Sequence, residues 1–353
     1  MCMVMGFNVF DVRLERFLKE LEENLSDVKK FRPRYIELKN FLPSNDSDVD
    51  KWEEILEDET LILEKMPLNY RVLEKNSFGD ARILALDTSS FRIGETERGI
   101  VTAYRASIVL FEEDKYRITR FGPFIVNISE ENKEYIYNYF RRLLGLEEVR
   151  VSDIPMLYKV VDRVRNFIER YLQILYSEYF KDGIILWDGS LTSGTVDTPR
   201  RVIESALNRA ESHNNAVFGV SKISHLRTRD GYRLIDLLSD VYYPSYIKLN
   251  KLIKEEVMAK ILGDVYAVRF SQHGFTFRVD IHPRNGFDSE YELKRMFSIC
   301  PMFNGYPDPL RQAHINCYFT SNEVLALQSY VIEKYHLEVL DEFDVRKFIL
   351  YPY

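Results

Sequence analysis

Two short apolar runs in this chain each end in a carboxylate. Residues 83–86 (Ile-Leu-Ala-Leu) are followed by Asp87, and residues 184–187 (Ile-Ile-Leu-Trp) are followed by Asp188. A nearly continuous apolar run of this length predicts a strand that is buried on both faces of an α/β sheet. Ligands bind such sheets at the carboxyl ends of the strands. The pattern therefore predicts that two aspartates lie where they can share a divalent cation.

The remaining hydrophobic pattern predicts three early strands and then strands that alternate with helices, which is typical of a mixed α/β sheet flanked by helices. A tight hairpin is expected at Glu113-Asp114. The strands are expected at 82–88, 100–112, 115–126, 183–188, 216–220, 265–271 and 274–282. The helices are expected at 9–31, 49–57, 130–144, 155–180, 199–212, 288–298 and 321–335, the last capped within Thr320–Glu323.

Residues 1–75 differ from the rest of the chain because they contain helical patterns and no recognisable catalytic spacing. A polar, proline-containing stretch at 42–48 separates the helix expected at 9–31 from the one expected at 49–57. We interpret 1–75 as an N-terminal helical segment for interaction or packing, followed by a core domain at 76–353.

Composition and charge restrict the class of protein. No apolar run approaches the roughly 18 to 20 residues of a membrane span, and the first residues lack the features of a secretory signal. Three cysteines without a CxxC pair indicate reduced thiols, so a cytoplasmic protein is expected. The net charge of −7 argues against indiscriminate nucleic-acid binding but allows a local basic groove. Four glutamines among many charged residues are typical of a thermophile.

A third carboxylate is expected on the helix at 155–180, which precedes the Asp188 strand and must pack near it. Glu169 lies close to the apolar stripe of this helix, and Glu178 is the alternative nearer its end. Magnesium and manganese prefer several oxygen ligands, which two or three carboxylates at neighbouring strand ends supply. The structural alternatives are that the aspartates cap turns and that the glutamate is a solvated surface residue.

Basic residues cluster after the fourth and fifth predicted strands of the core. Lys222 follows the strand at 216–220, where a compact cation can stabilise charge on a phosphate, although a surface lysine is an equal alternative. Four arginines make the same face locally basic and are candidate nucleic-acid contacts: Arg200, Arg201, Arg227 and Arg229.

The segment 305–314 near the C-terminus combines two prolines, expected to fix a loop, with candidate catalytic side chains. Arg311 and His314 are three residues apart and therefore lie on one helical face. Histidine serves as a general base or metal ligand, and Tyr306 can orient water or phosphate. Arg311 is a further candidate nucleic-acid contact.

The order of these motifs resembles the NurA family of archaeal and bacterial DNA-end-resection nucleases over roughly residues 80–320. The first motif reads Asp-Thr-Ser-Ser, where the family commonly has Asp-Gly-Ser. The matching pieces are Leu86-Asp87-Thr88-Ser89, Glu169, residues 186–191 (Leu-Trp-Asp-Gly-Ser-Leu), residues 219–222 (Gly-Val-Ser-Lys), Tyr306 and His314.

The resemblance implies an RNase H-like core and a manganese- or magnesium-dependent deoxyribonuclease. It implies 5′-to-3′ exonuclease and single-strand endonuclease activity in homologous-recombination repair. It also implies a homodimer that docks on a HerA-type hexameric translocase. In this hypothesis Asp87, Glu169 and Asp188 hold one or two ions, Lys222 offsets phosphate charge, and His314 with Tyr306 positions or deprotonates water.

Two other classes of protein remain open on the sequence. An actin-like ATPase or kinase also places an aspartate at a strand end, but its phosphate loop needs several glycines, and 88–93 contains none. A non-catalytic DNA clamp or translocase adaptor would keep the fold without turnover, and the altered first motif is compatible with it.

Overall fold

A computed structural model describes residues 12–34, 69–79, 82–194, 198–222, 227, 233, 238, 241, 243–272 and 274–340. The helix expected at 49–57, the polar stretch at 42–48 and Arg229 lie outside these residues.

The described residues form one large mixed sheet, a small hairpin whose two strands have two residues each, and flanking helices. The strands are β1 Lys30–Pro33, β2 Arg71–Val72, β3 Arg82–Thr96, β4 Gly99–Glu112, β5 Lys115–Ser129, β6 Gly183–Asp188, β7 Ala216–Ser221, β8 Ser245–Lys248, β9 Asp264–Arg269, β10 Thr276–His282, β11 Met302–Phe303, β12 Tyr306–Pro307 and β13 Glu338–Val339. The helices are α1 Val12–Glu23, α2 Lys133–Leu143, α3 Leu157–Tyr179, α4 Arg200–Ser212, α5 Glu255–Met258, α6 Ser289–Ile299, α7 Asp308–Cys317 and α8 Ser321–Tyr335.

The centre of the sheet has the order β5–β4–β3–β6–β7. Strands β3, β4 and β5 form an antiparallel meander, whereas β6 and β7 run parallel to β3. Numbered along the chain, this is the order 3-2-1-4-5 with an antiparallel second strand, which defines an RNase H-like core. The expected fold class is therefore confirmed. Beyond β7 the sheet continues antiparallel through β10, β9, β8 and β2.

Most predicted elements are present, and the hairpin at Glu113-Asp114 has positive φ at both residues, as a type I′ turn requires. The expected N-cap of α8 is also present as a capping box between Thr320 and Glu323. The end predicted for the first core strand was wrong, because β3 continues from Ser89 to Thr96. The polar residues after Asp87 signalled a strand end, but β4 is long enough to keep pairing with them.

Two other boundaries differ from the prediction. The first helix ends at Glu23 rather than 31, because Lys30–Pro33 leaves the helical path and pairs with the far end of β3. The expected loop between the two prolines was also wrong. Pro307 lies in β12, and Pro309 lies in the first turn of α7, where its missing N–H has no helical partner to lose.

The two faces of the sheet are covered by different helices. Successive side chains of a strand point to opposite faces, so Leu84 and Leu86 pack under α1, α2, α3 and α4. Ile83 and Ala85 pack on the other face with α6 and α7. The odd-numbered face of β3 is therefore the one that meets α7.

Helix α1 packs into the principal core. Leu14, Phe17, Leu18 and Leu21 are buried against the meander and α2, and the Phe17 ring stacks on Tyr139 with centroids 3.5 Å apart. Helix α1 is thus part of the hydrophobic core of the RNase H-like fold. The division of the chain at residue 75 stays a prediction. No helix among the described residues is long and apolar enough to span a bilayer.

Replacing Phe17 by alanine tests whether α1 stabilises the core. We expect Phe17→Ala to lower the free energy of unfolding by about 3–5 kcal/mol, because it removes a buried aromatic ring and leaves a cavity. Val12→Ala on the same helix is the control, since Val12 is 69% exposed. Urea unfolding followed by circular dichroism measures both variants, and equal stability of the two would contradict the packing.

Candidate functional site

The parallel register of β3 and β6 brings the two aspartates side by side. Leu86 pairs with Trp187, so Asp87 and Asp188 are the next residues on neighbouring strands, which lie about 4.8 Å apart in a sheet. Both side chains project to the face that holds Ile83 and Ile184. The juxtaposition expected from the two apolar runs is present.

Helix α7 delivers His314 onto Asp87. The ring Nδ1 of His314 donates to Asp87 Oδ2 over 2.8 Å, and the backbone N–H of Thr88 donates to Asp87 Oδ1 over 2.7 Å. The hydrogen bond with Asp87 raises the pKa of His314, and burial of the ring opposes this shift. Both oxygens of the Asp87 carboxylate are therefore engaged, and that residue is only 6% exposed.

Glu169 approaches from α3, on the other face of the sheet. Its Oε2 accepts a hydrogen bond from Thr88 Oγ1 over 3.2 Å, and its Oε1 accepts one from Gln173 Nε2 over 3.4 Å. Glu169 is buried, whereas Glu178 is exposed and pairs with Arg209 over 2.8 Å. Of the two glutamates weighed from the sequence, Glu169 is the one that contacts the Asp87 strand.

Lys222 and Tyr306 lie beside Asp188. The ammonium group of Lys222 donates to Asp188 Oδ2 over 2.9 Å and lies 5.4 Å from the centroid of the Tyr306 ring. The Tyr306 hydroxyl is buried, and no described residue lies in hydrogen-bonding geometry to it. Burial raises the pKa of Tyr306, and the charges of Asp188 and Asp87 raise it further. The Tyr306 hydroxyl is therefore close enough to the Asp188 carboxylate for the two groups to interact.

Cys317 is a site residue that the sequence reasoning missed. Asp87, His314 and Cys317 offer ligand atoms within 4.8 Å of one another, and they form the single such group found among the described residues. Burial raises the pKa of the Cys317 thiol, and the Asp87 charge adds to this effect. The i,i+3 spacing of His314 and Cys317 on one helix was the signal that could have identified it.

A buried ion pair that the sequence reasoning also missed fixes the chain after Asp188. Arg278 donates to both oxygens of Asp280, over 2.8 and 2.9 Å. Asp280 is fully buried and accepts a further hydrogen bond from the Leu191 backbone N–H over 2.9 Å. Arg278 in turn donates to Thr192 Oγ1 over 3.0 Å. These contacts hold residues 189–192 against β10, so they position the turn that carries Asp188.

Gly219 links the motif at 186–191 with the motif at 219–222. A Cβ at this position in β7 would lie 2.6 Å from the carbonyl oxygen of Gly189, whose own φ is +109°. The turn after Asp188 therefore crosses β7 where a side chain is absent. The Gly189 turn and the Gly219 strand are two halves of one close backbone approach.

The candidate DNA-binding arginines are dispersed. Arg200 contacts Glu204 and the Ala259 carbonyl, both over 2.6 Å. Arg201 is exposed on α4, and Arg227 forms a backbone bridge with Arg233. Arg311, on the same helix as His314, is the one that lies next to the site: it pairs with Asp308 over 2.9 Å and covers the ring of Phe303.

The donor set suits a hard divalent cation in chemistry. Asp87 and Asp188 supply carboxylate oxygens on one face of the sheet, whereas Glu169 lies on the other face and contacts Thr88. In this structure His314 hydrogen-bonds to Asp87 Oδ2, and Lys222 hydrogen-bonds to Asp188 Oδ2. A cation bound there would exchange with these two positively charged or hydrogen-bonding partners, so the carboxylates remain compensated in either state.

Comparisons with known proteins add the following. No family model matches the sequence, and no curated protein matches it. Among solved structures the chain resembles the NurA nuclease from Sulfolobus solfataricus, with 14% identity over 91% of this chain and 93% of that chain and a TM-score of 0.46. It also resembles human endonuclease V, with 13% identity over 90% of this chain and 98% of that chain and a TM-score of 0.38. A third similar structure is NurA bound to dAMP and manganese, with 10% identity over 75% of this chain and 90% of that chain and a TM-score of 0.38.

The resemblance to NurA indicated by the sequence motifs thus recurs among solved structures. The assignment of the RNase H-like core rests on the strand order and directions of the sheet itself.

Breaking the buried pair beneath the site should destabilise the protein strongly. We expect Asp280→Ala to lower the free energy of unfolding by about 3–5 kcal/mol, because it leaves the Arg278 charge buried without its partner. Glu204→Ala removes the partner of the half-exposed Arg200 and should change stability by less than about 1 kcal/mol. Denaturant titration compares the two variants. A loss for Asp280→Ala as small as that of the control would show that the pair does not hold the turn.

Proposed function

We propose that this protein is a metal-dependent deoxyribonuclease that hydrolyses phosphodiester bonds at the Asp87–Asp188 site. The observation that carries the proposal is the pair of aspartates on neighbouring parallel strands of an RNase H-like core, with Lys222, Tyr306 and His314 around it. An imidazole can accept a proton from water, and a cation beside two carboxylates can stabilise the charge that develops on a phosphate.

In the proposed reaction, water attacks the phosphorus atom, the bond from phosphorus to the 3′-oxygen breaks, and the 3′-oxygen leaves as a hydroxyl after it takes a proton from solvent. Bound manganese or magnesium supplies charge neutralisation for the phosphate oxygens and lowers the pKa of water. His314, carried to the site by α7, accepts the proton from the attacking water or holds that water in line. Lys222 stabilises the charge that develops on the phosphate, and the Tyr306 hydroxyl donates to a phosphate oxygen or to water.

Asp87, Asp188 and Glu169 are the proposed metal ligands. The pairing of β3 with β6 carries Asp87 and Asp188 to one face of the sheet, and Glu169, which contacts Thr88 from the other face, is included on the resemblance to NurA nucleases. Exchange at the two aspartates releases Lys222 and His314 from their present partners. That release frees both side chains for the substrate, so metal binding and activation of the site are one event in this proposal.

Finer features rest on the resemblance to NurA nucleases and are part of the proposal. They are 5′-to-3′ exonuclease and single-strand endonuclease activity in end resection, a HerA-type hexameric translocase as partner, and a homodimer. Arg200, Arg201, Arg227, Arg229 and Arg311 are the proposed contacts of the DNA backbone. NurA bound to dAMP and manganese is consistent with the proposed metal and nucleotide class.

An actin-like ATPase is not favoured, because residues 88–93 lie within strand β3 and form no glycine-rich loop after Asp87. A non-catalytic adaptor differs from the nuclease in one measurable respect: it would bind DNA without a metal-dependent product.

Two glutamates on the same helix give a matched test of the catalytic assignment. We expect Glu169→Ala to reduce manganese-dependent cleavage of labelled single-stranded DNA by more than about a hundredfold, because a carboxylate at the reacting centre is lost. Glu178→Ala should retain the activity, since that side chain contacts only Arg209 among the described residues. Asp188→Ala should behave like Glu169→Ala. Full activity of Asp188→Ala would refute the site, and absence of any product from the unaltered protein would favour the adaptor.

Metal binding should be measurable without turnover. At manganese concentrations about a hundredfold above the dissociation constant, ligation stabilises the folded protein by about 2.7 kcal/mol. We expect manganese to raise the melting temperature of the unaltered protein and of Glu178→Ala. It should leave the melting temperatures of Asp87→Ala and Asp188→Ala unchanged. Chelation with EDTA should reverse the rise. An unchanged manganese effect in both aspartate variants would place the ion elsewhere.

A further inference from the structure

Two exposed phenylalanines lie on turns that contact each other, one of which is the hairpin that carries Tyr306, and they have no role in the chemistry proposed above. Phe275 is 78% exposed, the largest value for a large apolar side chain among the described residues, and Phe303 is 48% exposed. Single exposed apolar residues are common on protein surfaces. These two differ because the turns that carry them contact each other.

Two turns in direct contact carry the rings. The hairpin of β11 and β12 turns at Asn304 and Gly305, both with positive φ. A Cβ on Gly305 would lie 2.5 Å from Ser271 Oγ, and a Cβ on Gly274 would lie 3.2 Å from the carbonyl oxygen of Asn304. Phe275 directly follows Gly274 in the sequence, and Phe303 directly precedes Asn304. The rings therefore emerge from adjoining backbone segments.

A fixed cation lies on the Phe303 ring. The guanidinium carbon of Arg311 is 3.9 Å from the ring centroid. Arg311 is held by Asp308 over 2.9 Å, and Asp308 also accepts a hydrogen bond from the Tyr116 hydroxyl over 2.6 Å. The stack of arginine on phenylalanine is thus supported from below by side chains that are themselves hydrogen-bonded.

The hairpin connects these rings to the candidate catalytic residues. Phe303 and Tyr306 are cross-strand partners, so their side chains lie on the same face of the hairpin. The Tyr306 ring lies 5.4 Å from the Phe277 ring and 5.4 Å from the Lys222 ammonium. A series of contacts therefore leads from Asp188 through Lys222 and Tyr306 to Phe303 and Arg311.

We propose that Phe275, Phe303 and Arg311 form a base-stacking platform for single-stranded DNA whose scissile phosphate lies at Asp188. The proposal rests on the nuclease function above and deepens it by naming the form of substrate. Aromatic platforms interleaved with cations are how proteins bind single strands, because every base offers a π-face while the cations meet the phosphates. The net charge of −7 makes a local cationic path necessary for an anionic strand.

The platform selects unpaired bases. In a duplex both faces of each base are already stacked, so a protein ring gains no contact without unstacking the helix. Frayed or single-stranded ends offer free faces at no such cost. Stacking is also tolerant of sequence, so the platform favours single strands without preferring a particular base.

The test compares two oligonucleotides that have the same number of phosphates, one with bases and one without. Binding of a fluorescent oligothymidylate of about twelve nucleotides, and of an abasic oligomer of equal length, is measured by anisotropy in EDTA at low salt. The proteins are the unaltered chain, Phe275→Ala/Phe303→Ala, and Tyr179→Ala as a control at another exposed aromatic residue, 52% exposed on α3. Circular dichroism confirms that each is folded.

We expect the unaltered protein and Tyr179→Ala to bind oligothymidylate at least about tenfold more tightly than the abasic oligomer. The double variant should lose this preference while its affinity for the abasic oligomer is unchanged. Phe275→Leu/Phe303→Leu should behave like the alanine variant, since leucine keeps the apolar surface without the ring. An unaltered protein without a preference for bases, or a double variant that keeps it, would overturn the proposal.

A separate assay distinguishes failure of the platform from failure of the nuclease function. Hydrolysis of the p-nitrophenyl ester of thymidine 5′-monophosphate with manganese needs the reacting groups but carries too few bases to engage both rings. The double variant should retain this activity. If the unaltered protein hydrolyses neither ester nor DNA, the proposed function fails, while the binding comparison in EDTA still decides the platform.

Discussion

The parallel pairing of β3 with β6 is the constraint on which the site depends. It sets Asp87 and Asp188 in register on neighbouring strands and on the same face. A slip of one residue would turn one carboxylate to the opposite face. The register is secured by the apolar residues that precede each aspartate, because Ile83 and Ile184 must enter one core while Leu84 and Ile185 enter the other.

Two adjacent carboxylates repel each other unless cations compensate them, and this accounts for the groups around them. His314 hydrogen-bonds to Asp87, and Lys222 pairs with Asp188. Each comes from a different element, α7 and the end of β7, so the whole fold has to be assembled before the charges are neutralised. Beneath them, the Arg278–Asp280 pair and the close approach at Gly219 fix the turn after Asp188. The chemistry and the stability of this region are therefore coupled.

The sequence predicted the central strands and the proximity of the two aspartates, because buried strands have a strong local signature in continuous apolar runs. Motif order supplied Glu169, Lys222, Tyr306 and His314, and the contacts bring these residues to the Asp87 and Asp188 strands. Cys317, Asp280 and the platform of Phe275 and Phe303 were not predicted. The i,i+3 spacing with His314 is a local signal for Cys317, whereas the roles of the other three depend on contacts between residues distant in sequence. The extension of β3 was missed for the same reason, since its polar half is stabilised by β4.

The most direct test of the central claim is a crystal structure of the protein with manganese, in which anomalous scattering locates the ion. We predict an anomalous peak bridging the Asp87 and Asp188 carboxylates, with Lys222 and His314 displaced from their present hydrogen bonds. A peak held by Asp87, His314 and Cys317 without Asp188, or no peak at the Asp87 and Asp188 carboxylates, would contradict the account.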